Sequence, residues 1–225
     1  MIEFFHAIGV PLAELWGMSE TTGYGTCNPP DRIKIGTVGP AVPGVEIRLA
    51  HDGEIELRGE CVFAGYYRKP DLTRETFTDD GWLMTGDVGE LDDDGYLKIV
   101  DRKKELIINA AGKKMSPANI ESTLKAEGPL IGAVVVIGDR RPYNVALIVP
   151  DPDAAAAFDG SVEDAIAESV EKANQRLSKV EQIKRHTVLD TEWEPGGDEL
   201  TPTMKIKRKP IAEKYAAEIE VLYER

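Results

Sequence analysis

The chain has 225 residues, 42% of them apolar, enough for one large domain or two small ones with buried cores. Its 40 acidic against 27 basic side chains give a formal charge of -13, which disfavours duplex nucleic acid as a partner because each phosphate contact needs a cation. Two cysteines, Cys27 and Cys61, follow neither a metal-ligand nor a disulfide-framework spacing, and no apolar run nears the ~20 residues of a membrane span. These features, with a start that lacks the charged and apolar regions of a signal peptide, lead to the expectation of a cytosolic protein, soluble or at most peripheral to a membrane.

Residues 2–8 read as the end of a helix stopped by Gly9, followed by a short apolar strand over 11–15 that runs into W-G-M-S-E-T-T-G. One helix-strand step cannot cover both faces of a parallel sheet, so the neighbouring strands are expected outside this chain. From 36 to 100 the pattern changes to short strands. V-E-I-R-L (45–49) and E-I-E-L-R (54–58) alternate apolar and polar residues around Asp52-Gly53, a strong hairpin signal. A second hairpin follows: D-V-G-E-L (87–91), then three aspartates and Gly95, then Y-L-K-I-V. The three aspartates lack the alternating ligand spacing of a calcium loop and read as a solvated turn.

Beyond D-R-K-K-E the pattern becomes mixed. E-L-I-I-N and the A-A-G-K-K-M turn suggest another hairpin, and Ser116-Pro117 supplies an N-cap and a first-turn proline for a helix through about Ala126. I-G-A-V-V-V-I-G and Y-N-V-A-L-I-V read as two buried strands. Ser161 and Asp164 resemble a capping box ahead of a helix with apolar positions at helical spacing through Leu177. K-R-H-T-V-L-D is a candidate strand, and a final helix sets Ile211, Tyr215, Ile219 and Leu222 on one face. A β-rich part therefore meets an α+β part at 102–105, and the fold class is mixed α/β (α+β).

Five segments carry residue types suited to chemistry: L-W-G-M-S-E-T (15–21), G-E-I-E-L-R-G through A-G-Y-Y (53–67), G-W-L-M-T-G-D (81–87), Y-L-K-I-V-D-R-K-K-E-L-I (96–107) with A-A-G-K-K-M-S-P (110–117) just beyond it, and L-T-P-T-M-K-I-K-R (200–208). In order and spacing they resemble the AMP-forming adenylating enzymes, which include acyl-CoA synthetases, luciferases and peptide-synthetase adenylation domains. The resemblance points to the long-chain and very-long-chain fatty acyl-CoA synthetase branch. It implies a β-rich, barrel-like subdomain from the end of a large adenylate-binding domain over 1–103, then a small mobile mixed-sheet domain over 104–225.

The same resemblance implies roles for individual residues. Trp16 would lie against the adenine, with Gly17 beside it. Ser19 would hydrogen-bond the substrate carboxylate or the α-phosphate, and Glu20 would hold Mg²⁺, for which a carboxylate is a suitably hard oxygen ligand. Asp87 would accept from both ribose hydroxyls, a task suited to a group with two acceptor oxygens and no donor. Arg102 would contact AMP, Lys104 would be the hinge, and Gly112 would line the pantetheine tunnel of coenzyme A. Lys205 would bridge the acyl carboxylate and the phosphate; Met204, next to it, stands where most members have glycine. Gly65 and Tyr66 read as scaffold. Substrates would be a fatty acid, ATP and coenzyme A.

The family's Ser/Thr/Gly-rich phosphate loop ending in Pro-Lys-Gly has no counterpart here; the nearest run, T-T-G-Y-G-T, ends in Cys27-Asn28-Pro29. The expectation is therefore that this chain works with a missing N-terminal part and is inactive alone. Two other readings stay open: a catalytically silent binding or complementation module, and a sister adenylating activity such as luciferase or carrier-protein loading.

Overall fold

The computed structural model describes residues 2–224 and divides into two compact units, Met1–Lys104 and Glu105–Arg225. The first unit begins with α1 (Ile2–Ala7), β1 (Leu15–Trp16), one 3-10 turn (Ser19–Thr21) and β2 (Thr26–Cys27). The strand expected over 11–15 forms only at its end: Leu15 and Trp16 pair antiparallel with Cys27 and Thr26, and a strand persists only where its backbone groups find a ladder.

A four-stranded antiparallel meander follows, made of β3 (Val45–Leu49), β4 (Glu54–Gly59), β5 (Leu83–Leu91) and β6 (Leu97–Arg102), in that spatial order. Both expected hairpins are present. Bulges at Glu54/Glu56 and at Val88/Gly89 bend the central strands. Two details depart from the sequence reading. Asp87 does not begin its strand but sits in the middle of β5, whose alternation buries Leu83, Thr85, Asp87 and Gly89 on one face. On β4 the glutamates are not turned to water: Glu54, Ile55, Glu56 and Leu57 are all buried. The reason is pairing, since Glu56 accepts from Arg48 at 2.5 Å and Glu54 is bonded as described below. Arg48 and Arg58 also lie over the buried ring of Trp82, at 4.3 and 4.5 Å from the centroid. A helix that the strand pattern hid, α2 (Pro70–Thr76), starts on a proline whose missing N–H costs nothing there.

The second unit opens with a small hairpin, β7 (Ile107–Ile108) and β8 (Lys114–Met115), then α3 (Pro117–Lys125), β9 (Ile131–Ile137), β10 (Asn144–Pro150), α4 (Pro152–Ala156), α5 (Val162–Arg176), β11 (Ile183–Val188), α6 (Arg208–Lys214) and α7 (Ala216–Tyr223). Ser116 Oγ accepts from Asn119 N and Ser161 Oγ from Asp164 N, both at 3.1 Å, so the two expected caps start α3 and α5. Strand β10 is central, antiparallel to β9 and parallel to β11.

Helices cover both faces of that sheet, which is why its strands read as unbroken apolar runs. Val134, Val136, Ala146 and Ile148 pack with Ile120, Leu124, Ile166 and Val170 on one side. Val135, Val145, Leu147 and Val149 pack with Ile211, Tyr215, Ile219 and Leu222 on the other. The single final helix expected from the sequence is broken at Tyr215, between α6 and α7. Tyr215 has left helical geometry, and its hydroxyl accepts from Trp193 Nε1 at 3.1 Å, so the ring is fixed in the core while the four apolar residues keep their common face.

Candidate functional site

The antiparallel register sets Asp87 opposite Arg102, which makes their side chains cross-strand neighbours. Arg102 Nε lies 2.8 Å from Asp87 Oδ1, and Trp16 Nε1 donates to Asp87 Oδ2 at 2.9 Å. Three of the residues singled out in the sequence, from three separate segments, thus meet in the first unit. Asp87 is 7% exposed, and its backbone N–H donates at 3.1 Å to Thr85 Oγ1, which itself donates to the Ile55 carbonyl at 2.7 Å. Between them Gly86 has φ +73, where only glycine is unstrained. An ionised carboxylate offers about four acceptor positions, so two remain beyond the arginine and the indole, and a vicinal diol needs two.

The loop before this cluster is held differently. A Cβ at Gly17 would collide with the Gly23 carbonyl, so the turn after Trp16 requires glycine. Ser19 is exposed at the start of the 3-10 turn. Glu20 Oε1 accepts from the Tyr66 hydroxyl at 2.7 Å, and this carboxylate beside the phenol raises its pKa. Tyr66 in turn meets the Phe63 ring in a T-shaped contact at a centroid distance of 4.8 Å, and its N–H donates to Thr73 Oγ1 of α2 at 2.9 Å. The Gly-Tyr turn therefore does more than redirect the chain: it orients Glu20. For Mg²⁺ the donor set fits in kind, because that ion is commonly held by one or two carboxylates with phosphate oxygens and water completing the shell. Among the described residues no group of three or more metal-ligating side chains gathers, so a protein-only cage is not what these residues would make.

Lys104 is exposed at the end of the first unit. Gly112 and Lys205 belong to the second unit, each on a hairpin tip. Around Gly112, Asn109 Oδ1 accepts from Ala111 N at 3.0 Å and from Lys113 N at 2.9 Å, which shapes the turn. Lys205 stands in a tight loop closed by the Leu200–Ile206 bridge, with Thr201 N to Lys205 O at 2.8 Å and Lys205 N to Thr201 Oγ1 at 3.0 Å. Met204 takes φ +63 there and is 62% exposed, a left-handed conformation that explains why glycine would suit the position.

Residues that sequence reasoning passed over support these groups. Arg208 donates to both Glu121 oxygens at 2.6 and 2.7 Å and to Glu105 Oε2 at 3.3 Å. Burial opposes its charge, yet the bonds to Glu121 and Glu105 raise its pKa. Glu54 and Lys103 make the corresponding pair in the first unit, at 2.6 Å. For Glu54 the visible signal was a charged residue at an inward strand position, which needs a partner.

Comparison with known proteins supplies the family. Residues 1–67 match the model of the AMP-binding enzyme family, and residues 104–225 match its AMP-binding enzyme C-terminal domain; Asp87 and Arg102 lie between the two stretches. The chain is 52% identical to a putative fatty-acid–CoA ligase, fadD11, of Mycobacterium tuberculosis, over 99% of this chain and 42% of the relative. It is 44% identical to the long-chain-fatty-acid–CoA ligase FadD15 of Mycobacterium bovis, over 98% of this chain and 39% of that one. Among solved structures, O-succinylbenzoate coenzyme A synthetase (MenE) from Bacillus subtilis, in complex with AMP, is similar with a TM-score of 0.74 at 26% identity, covering 92% of this chain and 42% of that one. The chain thus spans about two fifths of the length of the curated relatives it matches. With a matching C-terminal domain over more than half of its length and the residues of the first unit gathered on one carboxylate, the chain belongs to the AMP-binding enzymes.

Proposed function

We propose that the chain is the hinge-bearing C-terminal portion of an AMP-forming ligase that activates a long-chain fatty acid with ATP and passes it to coenzyme A. The observation that carries this reading is the meeting of Trp16 and Arg102 on the Asp87 carboxylate. The fatty-acid substrate rests on the names of the relatives at 52% and 44% identity.

In the first half-reaction a carboxylate oxygen attacks the α-phosphorus of ATP and pyrophosphate leaves, giving the acyl-AMP anhydride. Asp87 binds the ribose, Trp16 borders the adenine beside Gly17, and Arg102 steadies the nucleotide. Ser19 donates to the carboxylate or α-phosphate, and Lys205 neutralises charge that builds in the transition state. Mg²⁺, held through Glu20, would neutralise the phosphates when bound. In the second half-reaction the coenzyme A thiol sulfur attacks the acyl carbon, its proton passes to water, and AMP leaves with the bonding electrons. In this reading the backbone at Lys104 swivels between the two steps, and the Gly112 hairpin admits the pantetheine arm.

A long-chain acid partitions into bilayers, so the reading includes a cytoplasmic enzyme in peripheral contact with a membrane. No helix among the described residues is long and apolar enough to cross one. The test joins this chain to a matching N-terminal part and follows AMP release with a panel of acids. Release that needs both a long-chain acid and coenzyme A supports the proposal; indifference to both overturns it.

A further inference from the structure

Glu54 is 6% exposed, yet it is charged and stands on a strand whose other buried neighbours are apolar or paired. Its two oxygens do different things. Oε1 accepts from the Gly86 N–H at 2.9 Å, and Oε2 meets Lys103 Nζ at 2.6 Å. Lys103 also meets Asp52 Oδ2 at 2.7 Å, while Asp52 Oδ1 accepts from the Glu54 N–H at 3.2 Å. The loop closes through the main chain, because Lys103 N donates to the Gly86 carbonyl at 2.8 Å. Both polar groups flanking Gly86 are therefore held, one by the Glu54 side chain and one by the Lys103 backbone. Gly86 is the residue whose left-handed backbone aims Asp87, the acceptor of the Trp16 indole.

We infer that Glu54 is a positioning residue: with Lys103 and Asp52 it clamps the Gly86 peptide and so fixes where Asp87 presents its carboxylate. The same clamp ends one residue before Lys104, so chain rotation about the hinge begins beyond a point tied to the sheet. Its importance for catalysis rests on the nucleotide reading above; its geometry does not. Removing a charged partner from a buried group leaves that group's desolvation uncompensated, and charge-assisted bonds are about twice as strong as neutral ones. The effect of losing Glu54 should thus reach the Trp16–Asp87 bond through Gly86.

The experiment reads that bond without any nucleotide. In the full 225-residue chain, the three tryptophan indole N–H resonances are assigned with W16F, W82F and W193F, and their exchange with deuterium is followed. E54Q keeps the side-chain shape and removes the charge; K103M removes its counter-ion. Expected is a shift of the Trp16 indole resonance and exchange faster by about threefold in K103M and on the order of tenfold in E54Q, with Trp82 and Trp193 unmoved. A general loss of stability would instead move all three tryptophans, and that result overturns the inference, as does a Trp16 resonance unchanged in both variants. Titration of AMP into the joined enzyme, wild type and D87N, tests the nucleotide reading separately: absence of AMP binding there would sink that reading while the Trp16 result still decides this one.

Discussion

The two units hold their candidate residues by opposite means. In the first, the residues are fixed by polar bonds among themselves: indole to carboxylate, guanidinium to carboxylate, phenol to carboxylate, at 2.7–2.9 Å. The apolar core beneath is small, chiefly Ile55, Leu57, Leu83 and Leu97. In the second, two apolar clusters, one on each face of a three-stranded sheet, supply the rigidity, and Gly112 and Lys205 are carried on exposed hairpin tips above them. Under the proposed function this division is useful: a site that recognises a nucleotide gains from preset polar geometry, whereas a group that must be delivered gains from a stiff carrier and a bare end.

The contrast can be broken most sharply at Leu147, fully buried in the second unit. L147A should destabilise the chain by about 2–5 kcal/mol in urea unfolding and leave the Trp16 indole resonance of the first unit in place. A Trp16 shift of the same size as in E54Q would show that the units do not divide the labour this way. Next comes Lys205. At ~4 Å from an anion, a lysine contributes up to about 4 kcal/mol at an effective dielectric of 20, so K205A should slow acyl-AMP formation by about a thousandfold in the joined enzyme. Its melting temperature should stay as in wild type, since the side chain is exposed; a lowered melting point would mean that Lys205 supports the fold.

A smaller effect of opposite sign is expected at Met204. M204G removes the left-handed strain and should raise stability by about 1 kcal/mol, read as a higher urea midpoint at unchanged slope. A fall in that midpoint would show that the exposed methionine makes contacts that outweigh its backbone. The smallest effect concerns His186 of β11, whose pKa burial pushes below its ordinary 6.5. A base depressed in the folded state contributes stability that is present above pH 6.5 and lost as pH falls through the lower folded value. Melting temperature should thus decline from pH 7 towards pH 5, and H186Q should flatten that decline; an identical slope in H186Q assigns the loss to other groups.

The sequence made the second unit legible almost element by element, because capping serines, unbroken apolar strands and helical spacing are local signals. It was less informative about the first. Asp87 was singled out, but its position within β5 depends on the partner strand, and pairing is not written in the run itself. The buried glutamates of β4 contradicted simple alternation, since Lys103 and Arg48, which make their burial tolerable, stand 49 and 8 residues away in the chain. Helix α2 was hidden because seven residues are too few for periodicity to speak. The break at Tyr215 was invisible for a related reason: the apolar spacing runs straight across it.

Arg208 has a consequence for how the protein responds to ionic strength. Surface charge pairs fade as salt shortens the Debye length to about 3 Å at 1 M, but a guanidinium forked onto the buried Glu121 is shielded from counter-ions. The root of the lysine-bearing hairpin should therefore stay fastened to α3 in concentrated salt, so that brine would weaken the anion capture proposed for Lys205 without loosening the stem that carries it.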